Sequence, residues 1–332
     1  MPGTRSDQHA AGAVLCLLSA SAFATLGIFG SLADDAGASI ASTLFVRFAV
    51  AAVVFVVVLR LTGGWGRLRA LPRHVVLTGL GLGAIGYSLQ SGLFFAAIQR
   101  LDVSLVALIL YTYPAFVTVA ALVLGRAAFS LRTLVALAVA SVGLVLVLLA
   151  AGTGAFDLGG ALLALAASVT YTTYILISDR IIGAVDPFAL AALVLTGATA
   201  SFAVAGIVTG SLDLRLSGEA WLWLILIALV STVIAVSAFF AGLKRVGPSE
   251  AAILSTAEPV VTVALAFLVL GERLAPAQLL GGALVLGAVV LLQLRPRPAR
   301  AALRVAAARA NPGHCGRRSG RRGQFAALCA AN

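Results

Sequence analysis

Glu258 is a carboxylate set about nine residues, or roughly 13 Å, into an otherwise apolar run. An ionised acid at that depth costs about 2.5–3.5 kcal/mol on insertion scales. Two chemistries suit it, proton exchange in a coupled cycle and a salt link to a substrate amine; the alternative is a buried acid that hydrogen-bonds a neighbouring helix and fixes packing. Arg47 is the second anomaly, about eight residues into another such run. Counting rise along oppositely directed helices puts Arg47 about 12 Å and Glu258 about 18 Å from the outer surface. Long side chains bridge that difference, so the two could form an ion pair or grip the two ends of a zwitterion such as an amino acid. The sequence favours a plainer reading, in which Arg47 snorkels outward and pairs with Asp34 or Asp35.

Pro114 and Pro259 each interrupt an apolar run. A proline cannot donate to the carbonyl four residues back, here Leu110 and Ser255, so each break leaves an acceptor in need of a partner. Such backbone is tolerated in a membrane where protein or a wet cavity satisfies it. Hydroxyls cluster at both breaks, Tyr111, Thr112 and Tyr113 at one, Ser255 and Thr256 at the other. They predict a substrate cavity and hinge; the alternative is a packed kink with local hydroxyl compensation. Two further stripes at helical spacing are Tyr87, Gln90, Ser91 and Phe94, and Ser168, Tyr171, Thr172, Ser178 and Asp179. They line a pathway or make ordinary interhelical hydrogen bonds.

Other chemistries find no footing. His9, His74 and His314 fall outside the apolar runs, and Cys16, Cys315 and Cys329 suggest no disulfide or metal framework. No metal, cofactor or enzymatic activity is expected. Lys244 is the only lysine and Arg245 follows it, so no nucleotide-binding G-x-x-x-x-G-K-[ST] loop exists. Gly81-Leu82-Gly83-Ala84-Ile85-Gly86 spells a dinucleotide fingerprint, but it lies inside an apolar helix with no strand before it. Gly79 and Gly83 instead make a small-xxx-small pair that admits another helix closely.

These residues must be held by membrane helices. The chain of 332 residues is 61% hydrophobic and 11% charged, with a mean hydropathy of +1.09, against about 45–50% and 25% in soluble domains. About 20 apolar residues span the hydrocarbon core, and ten segments qualify: 11–33, 39–61, 75–98, 104–124, 133–151, 159–178, 187–209, 220–243, 249–270 and 277–294. The first exceeds a signal peptide's apolar stretch and aligns with the start of the sixth, so it belongs to the fold.

The phrase Phe94-Phe95-Ala96-Ala97-Ile98-Gln99-Arg100 returns as Phe239-Phe240-Ala241-Gly242-Leu243-Lys244-Arg245, each copy followed by a proline-broken run. The duplication unit is a five-helix half-protein, far longer than a solenoid repeat. With the N-terminus cytoplasmic, the inside loops hold most of the arginines and Lys244, while the outside loops hold only Arg100, Arg215 and Arg273. Both termini are then cytoplasmic. Five is odd, so the second half enters from the opposite side, and inverted halves place a transporter's site near the midplane between them. The +11 charge thus reads as topology rather than nucleic-acid binding.

Two five-helix halves, Tyr111-Thr112-Tyr113-Pro114, Glu258-Pro259 and the closing Leu270-Gly271-Glu272 resemble the EamA-type branch of the drug/metabolite transporter superfamily. One departure is Leu124-Gly125-Arg126, where that branch usually has Gly-Glu. The resemblance implies an exporter of amino acids or other small metabolites; neighbouring branches move nucleotide sugars or triose phosphates. The expectation is therefore an all-α integral membrane protein of ten transmembrane helices. Residues 1–10 form a cytoplasmic N-terminus, 11–152 and 153–294 two inverted five-helix repeats, and 295–332 a basic disordered cytoplasmic tail. It alternates access to a small polar metabolite in the cytoplasmic membrane, with Glu258 as the proton-coupling candidate. Substrate-binding candidates are Arg47, Tyr87, Gln90, Tyr111, Tyr113, Pro114, Tyr171, Ser255, Glu258 and Pro259. Expected partners are this substrate and the bilayer; the sequence does not specify an oligomeric state. The alternative is a non-transporting scaffold or sensor built on the same bundle.

Overall fold

The computed structural model describes residues 5–124, 130–150, 157–182 and 185–293. Arg126 and the expected tail at 295–332 lie outside them. Among the described residues every regular element is helical: α1 (Arg5–Asp35), α2 (Ile40–Leu61), the short α3 (Trp65–Arg69), α4 (Arg73–Gly81), α5 (Ser88–Ile98), α6 (Val103–Leu110), α7 (Tyr113–Val123), α8 (Leu131–Ala150), α9 (Leu158–Ile182), α10 (Pro187–Thr209), α11 (Gly218–Ala228), α12 (Ala235–Val246), α13 (Pro248–Ser255), α14 (Ala257–Leu265) and α15 (Pro276–Gln293). The ends follow from local chemistry. Ser39, Asp186 and Ser217 accept first-turn N–H groups of α2, α10 and α11, Pro187 opens α10, and Gly210 closes it at φ 67°.

Among the described residues eight helical stretches are long and apolar enough to cross a membrane, and two shorter apolar stretches, Leu131–Val147 and Pro276–Leu292, coincide with the expected fifth and tenth spans. Outward faces carry large apolar side chains, among them Ile85, Val123, Val208 and Leu268, each more than two-thirds exposed. A water-soluble surface does not present apolar area on that scale; hydrocarbon accepts it.

Helices pair across the halves. α1 packs on α12 and α5 on α9, while α2 packs on α10, α6 on α14 and α8 on α15. Glycine sets the closest approaches. A Cβ on Gly83 would run into the Val194 carbonyl of α10, and one on Gly197 of α10 into the Leu80 carbonyl. Gly143 of α8 and Gly281 of α15 stand in the same reciprocal relation, each carbonyl 2.6 Å from where the other's Cβ would be.

Polar contacts gather at two ends. At one, His9 meets Glu250 at 2.9 Å, Arg67 faces Asp186 at 3.9 Å and Arg132 donates to the Leu291 carbonyl. At the other, Gln99 donates to Asp34 at 2.5 Å, Ser42 to the Asp213 carbonyl at 2.6 Å, and Arg100 faces Asp157 at 3.6 Å. The Asp34 contact answers the snorkelling expectation: Asp34 is partnered by Gln99, and Arg47 turns inward, as described below.

Glu272 clasps this second end. Its carboxylate accepts from the Val103 N–H at 2.7 Å, the Ser104 N–H at 3.0 Å and the Ser104 hydroxyl at 2.6 Å, closing the first turn of α6. An anion at a helix N-terminus is favoured both by the free N–H groups and by the helix dipole. Glu272→Ala is therefore expected to speed amide exchange at Val103 and Ser104 about tenfold or more, roughly 1.4 kcal/mol of lost protection. Unchanged exchange would contradict the clasp.

Two π-helical segments occupy matching places in the halves. Leu82–Tyr87 joins α4 to α5 and Leu229–Ile234 joins α11 to α12, each bound displaced by 147 positions. Such segments are uncommon and concentrate at functional sites.

Candidate functional site

The proline breaks take the form of short interruptions. α6 stops at Leu110 and α7 restarts at Tyr113; α13 stops at Ser255 and α14 restarts at Ala257. The freed carbonyls find hydroxyls from the opposite half. Ser168 of α9 donates to the Leu110 carbonyl at 3.2 Å, and Tyr111 donates to the Ser255 carbonyl at 3.0 Å. The same Tyr111 hydroxyl lies 2.8 Å from Glu258 Oε2, so one proton is shared between two acceptors. Thr112 and Ser168 hydroxyls are 3.1 Å apart, and Thr172 donates to the Tyr113 carbonyl at 3.3 Å. Ser168 and Thr172 of the α9 stripe thus face the break in the first half; the side chain of Asp179 lies outside the described residues.

These elements surround a cavity of about 110 Å³. Seven of the ten expected residues line it: Arg47, Tyr87, Gln90, Tyr111, Tyr113, Tyr171 and Glu258. Pro114, Ser255 and Pro259 do not. Ser255 contributes its carbonyl to the Tyr111 bond, its own hydroxyl turning back to the Ala251 carbonyl at 2.9 Å. Pro114 and Pro259 act by opening the first turns of α7 and α14. Phe23, Leu26, Ser91, Phe94 and Leu110 complete the wall. Ten of the twelve lining residues come from the first half and two, Tyr171 and Glu258, from the second.

Arg47 is 2% exposed. Its Nε donates to Thr232 Oγ1 at 3.0 Å and its Nη2 to the Tyr87 hydroxyl at 3.2 Å. Thr232 and Tyr87 belong to the two matching π-helical segments, so Arg47 hydrogen-bonds to both of them. The guanidinium carbon stands 4.9 Å from the Phe48 ring centroid. Among the described residues its ion pairs are with none, the three present being His9–Glu250, Arg67–Asp186 and Arg100–Asp157. A buried cation without an acid is costly.

Thr232 and the wall residues Phe23 and Leu26 were not foreseen. The only sequence signal for Thr232 is that Ser231-Thr232 forms a hydroxyl pair within the apolar run 220–243.

All five tyrosines of the chain form one contact series. Ring centroids are 5.6 Å apart for Tyr87–Tyr174, 6.0 Å for Tyr174–Tyr171, 4.8 Å for Tyr171–Tyr113 and 5.8 Å for Tyr113–Tyr111. The series runs from the Arg47 end of the cavity to Glu258. Tyr111 is its best-anchored member, and Tyr111→Phe leaves both the Ser255 carbonyl and Glu258 Oε2 without that donor. The expected loss is about 1–3 kcal/mol, read as a lower thermal unfolding midpoint; an unchanged midpoint would count against the double bond.

Comparison with known proteins bears on the chain's family and fold. The EamA-like transporter family matches the chain twice, over residues 10–149 and 158–294. A protein of Archaeoglobus fulgidus described as an uncharacterized transporter is 27% identical over 212 residues, 64% of this chain and 74% of that one. The uncharacterized transporter YcbK of Bacillus subtilis is 29% identical over 210 residues, 60% and 67% of the two chains. A protein crystal structure superposes with a TM-score of 0.62 at 21% identity, covering 89% of this chain and all of that one, a likeness of fold.

Proposed function

This chain belongs to the EamA-like transporter family, and we propose that it is a secondary transporter that exports small polar zwitterions, amino acids among them, through the cavity between its halves. The observation that carries the proposal is a buried guanidinium without an acidic partner sharing one cavity with a carboxylate. Arg47 takes the substrate carboxylate, Glu258 its ammonium or, between substrates, a proton that couples the cycle. Tyr87, Gln90, Tyr111, Tyr113 and Tyr171 orient the rest.

The accompanying architecture is ten spans in two inverted five-helix repeats, 11–152 and 153–294. Supporting it, the family matches the chain in two blocks and the helix pairing is unchanged on exchange of the halves. α1 begins at the end where His9 meets Glu250 and finishes where Asp34 meets Gln99; α9 begins beside Arg100 at that second end. The helices of the expected fifth and tenth spans, α8 and α15, have 20 and 18 residues, within the range of about 17–25 for a crossing. Arginine placement argues for a cytoplasmic membrane with both termini inside, and rocking about the midplane site exposes it to each side in turn.

The test is a thermal-shift screen of the purified protein against amino acids and related zwitterions. A ligand specific to the folded state raises the midpoint by mass action. At least one should do so in the wild type and fail in Arg47→Gln. Silence throughout, with vesicle flux no greater than without protein, would favour the scaffold alternative.

A further inference from the structure

The cavity is chemically polarised. At one end Arg47 is held by Thr232 and Tyr87, and its guanidinium carbon is 5.9 Å from the Tyr87 ring centroid, so that ring is already engaged by a cation. At the other end Tyr111, Tyr113 and Tyr171 stand with Glu258 in the same wall. Their rings meet at steep angles, 64° for Tyr111–Tyr113 and 71° for Tyr113–Tyr171. Tyr171 stacks one face on Tyr174, and rings inclined so steeply turn different surfaces toward a group seated against them, with a carboxylate in the same wall.

A primary ammonium and an alkylated one ask for different surroundings. A primary ammonium carries three donors and needs about three acceptors when buried. An ammonium bearing methyl groups needs none. It is held by ring faces, whose quadrupole attracts the charge, and by one counter-charge. Besides one carboxylate, already an acceptor from Tyr111, this wall offers only phenolic hydroxyls, weaker acceptors than a carboxylate, and three rings joined through Tyr113. That balance suits the alkylated cation.

Resting on the zwitterion reading above, we propose that Tyr111, Tyr113 and Tyr171 form a cage around Glu258 for an N-alkylated ammonium, so that the site selects betaine-type zwitterions over primary amino acids. Arg47 takes the carboxylate of both kinds alike. Selectivity then resides in the tyrosines, and overall affinity in Arg47.

Glycine and trimethylglycine differ only in the three methyl groups on nitrogen, which makes them the probes. Isothermal titration of the purified full-length protein is expected to give at least tenfold tighter binding of trimethylglycine, about 1.4 kcal/mol. Tyr113→Leu should bring the ratio near one, whereas Tyr113→Phe, which keeps the ring face, should retain it. Arg47→Gln should weaken both probes and leave the ratio alone. Retention of the ratio in Tyr113→Leu overturns the cage. Equal binding, or a preference for glycine, overturns the cage while leaving the zwitterion site standing. Binding of neither probe overturns the cage, and silence of the amino-acid screen as well removes the site reading with it.

Discussion

Arg47→Met is expected to abolish transport while leaving the empty protein at least as stable as the wild type. The two effects separate because Arg47 is costly to the resting fold and valuable only when an anion is bound. It is 2% exposed with no acid beside it, and replacing buried charge by an apolar side chain of similar length is often neutral or stabilising. Thr232 keeps a partner, since its hydroxyl donates to the Ile227 carbonyl at 3.0 Å; the Tyr87 hydroxyl loses the donor it accepts from. With substrate present the balance reverses. Removing one member of a buried, hydrogen-bonded charge pair costs about 2–5 kcal/mol, roughly 30-fold or more in affinity. The paired readout is an unfolding midpoint that does not fall and a substrate flux that does. A variant that unfolds early would make Arg47 a structural strut first.

Gly83→Ala is expected to be the most damaging single methyl that can be added to the bundle. Its Cβ would collide with the backbone carbonyl of Val194, and backbone cannot rotate aside as a side chain can. Opposite it, Gly197 is held as tightly against Leu80, so α10 and the first π-helical segment interlock from both sides. Forcing them apart should cost about 3 kcal/mol, the upper range for overpacking, read as loss of folded, monodisperse protein. Gly81→Ala supplies the control. Nothing lies within 4 Å of its Cβ, so only helix propensity acts, a gain of up to about 1 kcal/mol. Equal behaviour of the two variants would contradict the interlock.

The sequence made the site's chemistry legible because polar groups inside apolar runs have few explanations. Glu258, Arg47 and the tyrosines stand out against hydrocarbon, and proline arithmetic named Leu110 and Ser255 as the carbonyls needing donors. It did not name the donors' side of the bundle, since Ser168 and Tyr111 reach across halves and pairing between distant helices leaves no periodic trace. Arg47 was misjudged by the sequence for a related reason. Snorkelling is the rule for an arginine near a helix end, whereas here two π-helical segments bring Tyr87 and Thr232 to it from helices that spacing alone cannot juxtapose. Thr232 itself gave almost no signal, because a mid-helix hydroxyl is normally satisfied by its own helix. Pro114 and Pro259 were legible as breaks but not as non-lining residues; their effect is on backbone, and the cavity is built by what the break frees.

Carriage of a substrate across the bilayer by alternating exposure of this cavity has a direct kinetic signature. Counterflow in sealed liposomes tests it most directly: vesicles holding purified protein are loaded with an unlabelled zwitterion and given a trace of the labelled one outside. Wild-type protein is expected to give saturable, transient accumulation of label, and folded Arg47→Met none. Accumulation equal in the two proteins, or no greater than in protein-free vesicles for every zwitterion that shifts the unfolding midpoint, would contradict that expectation.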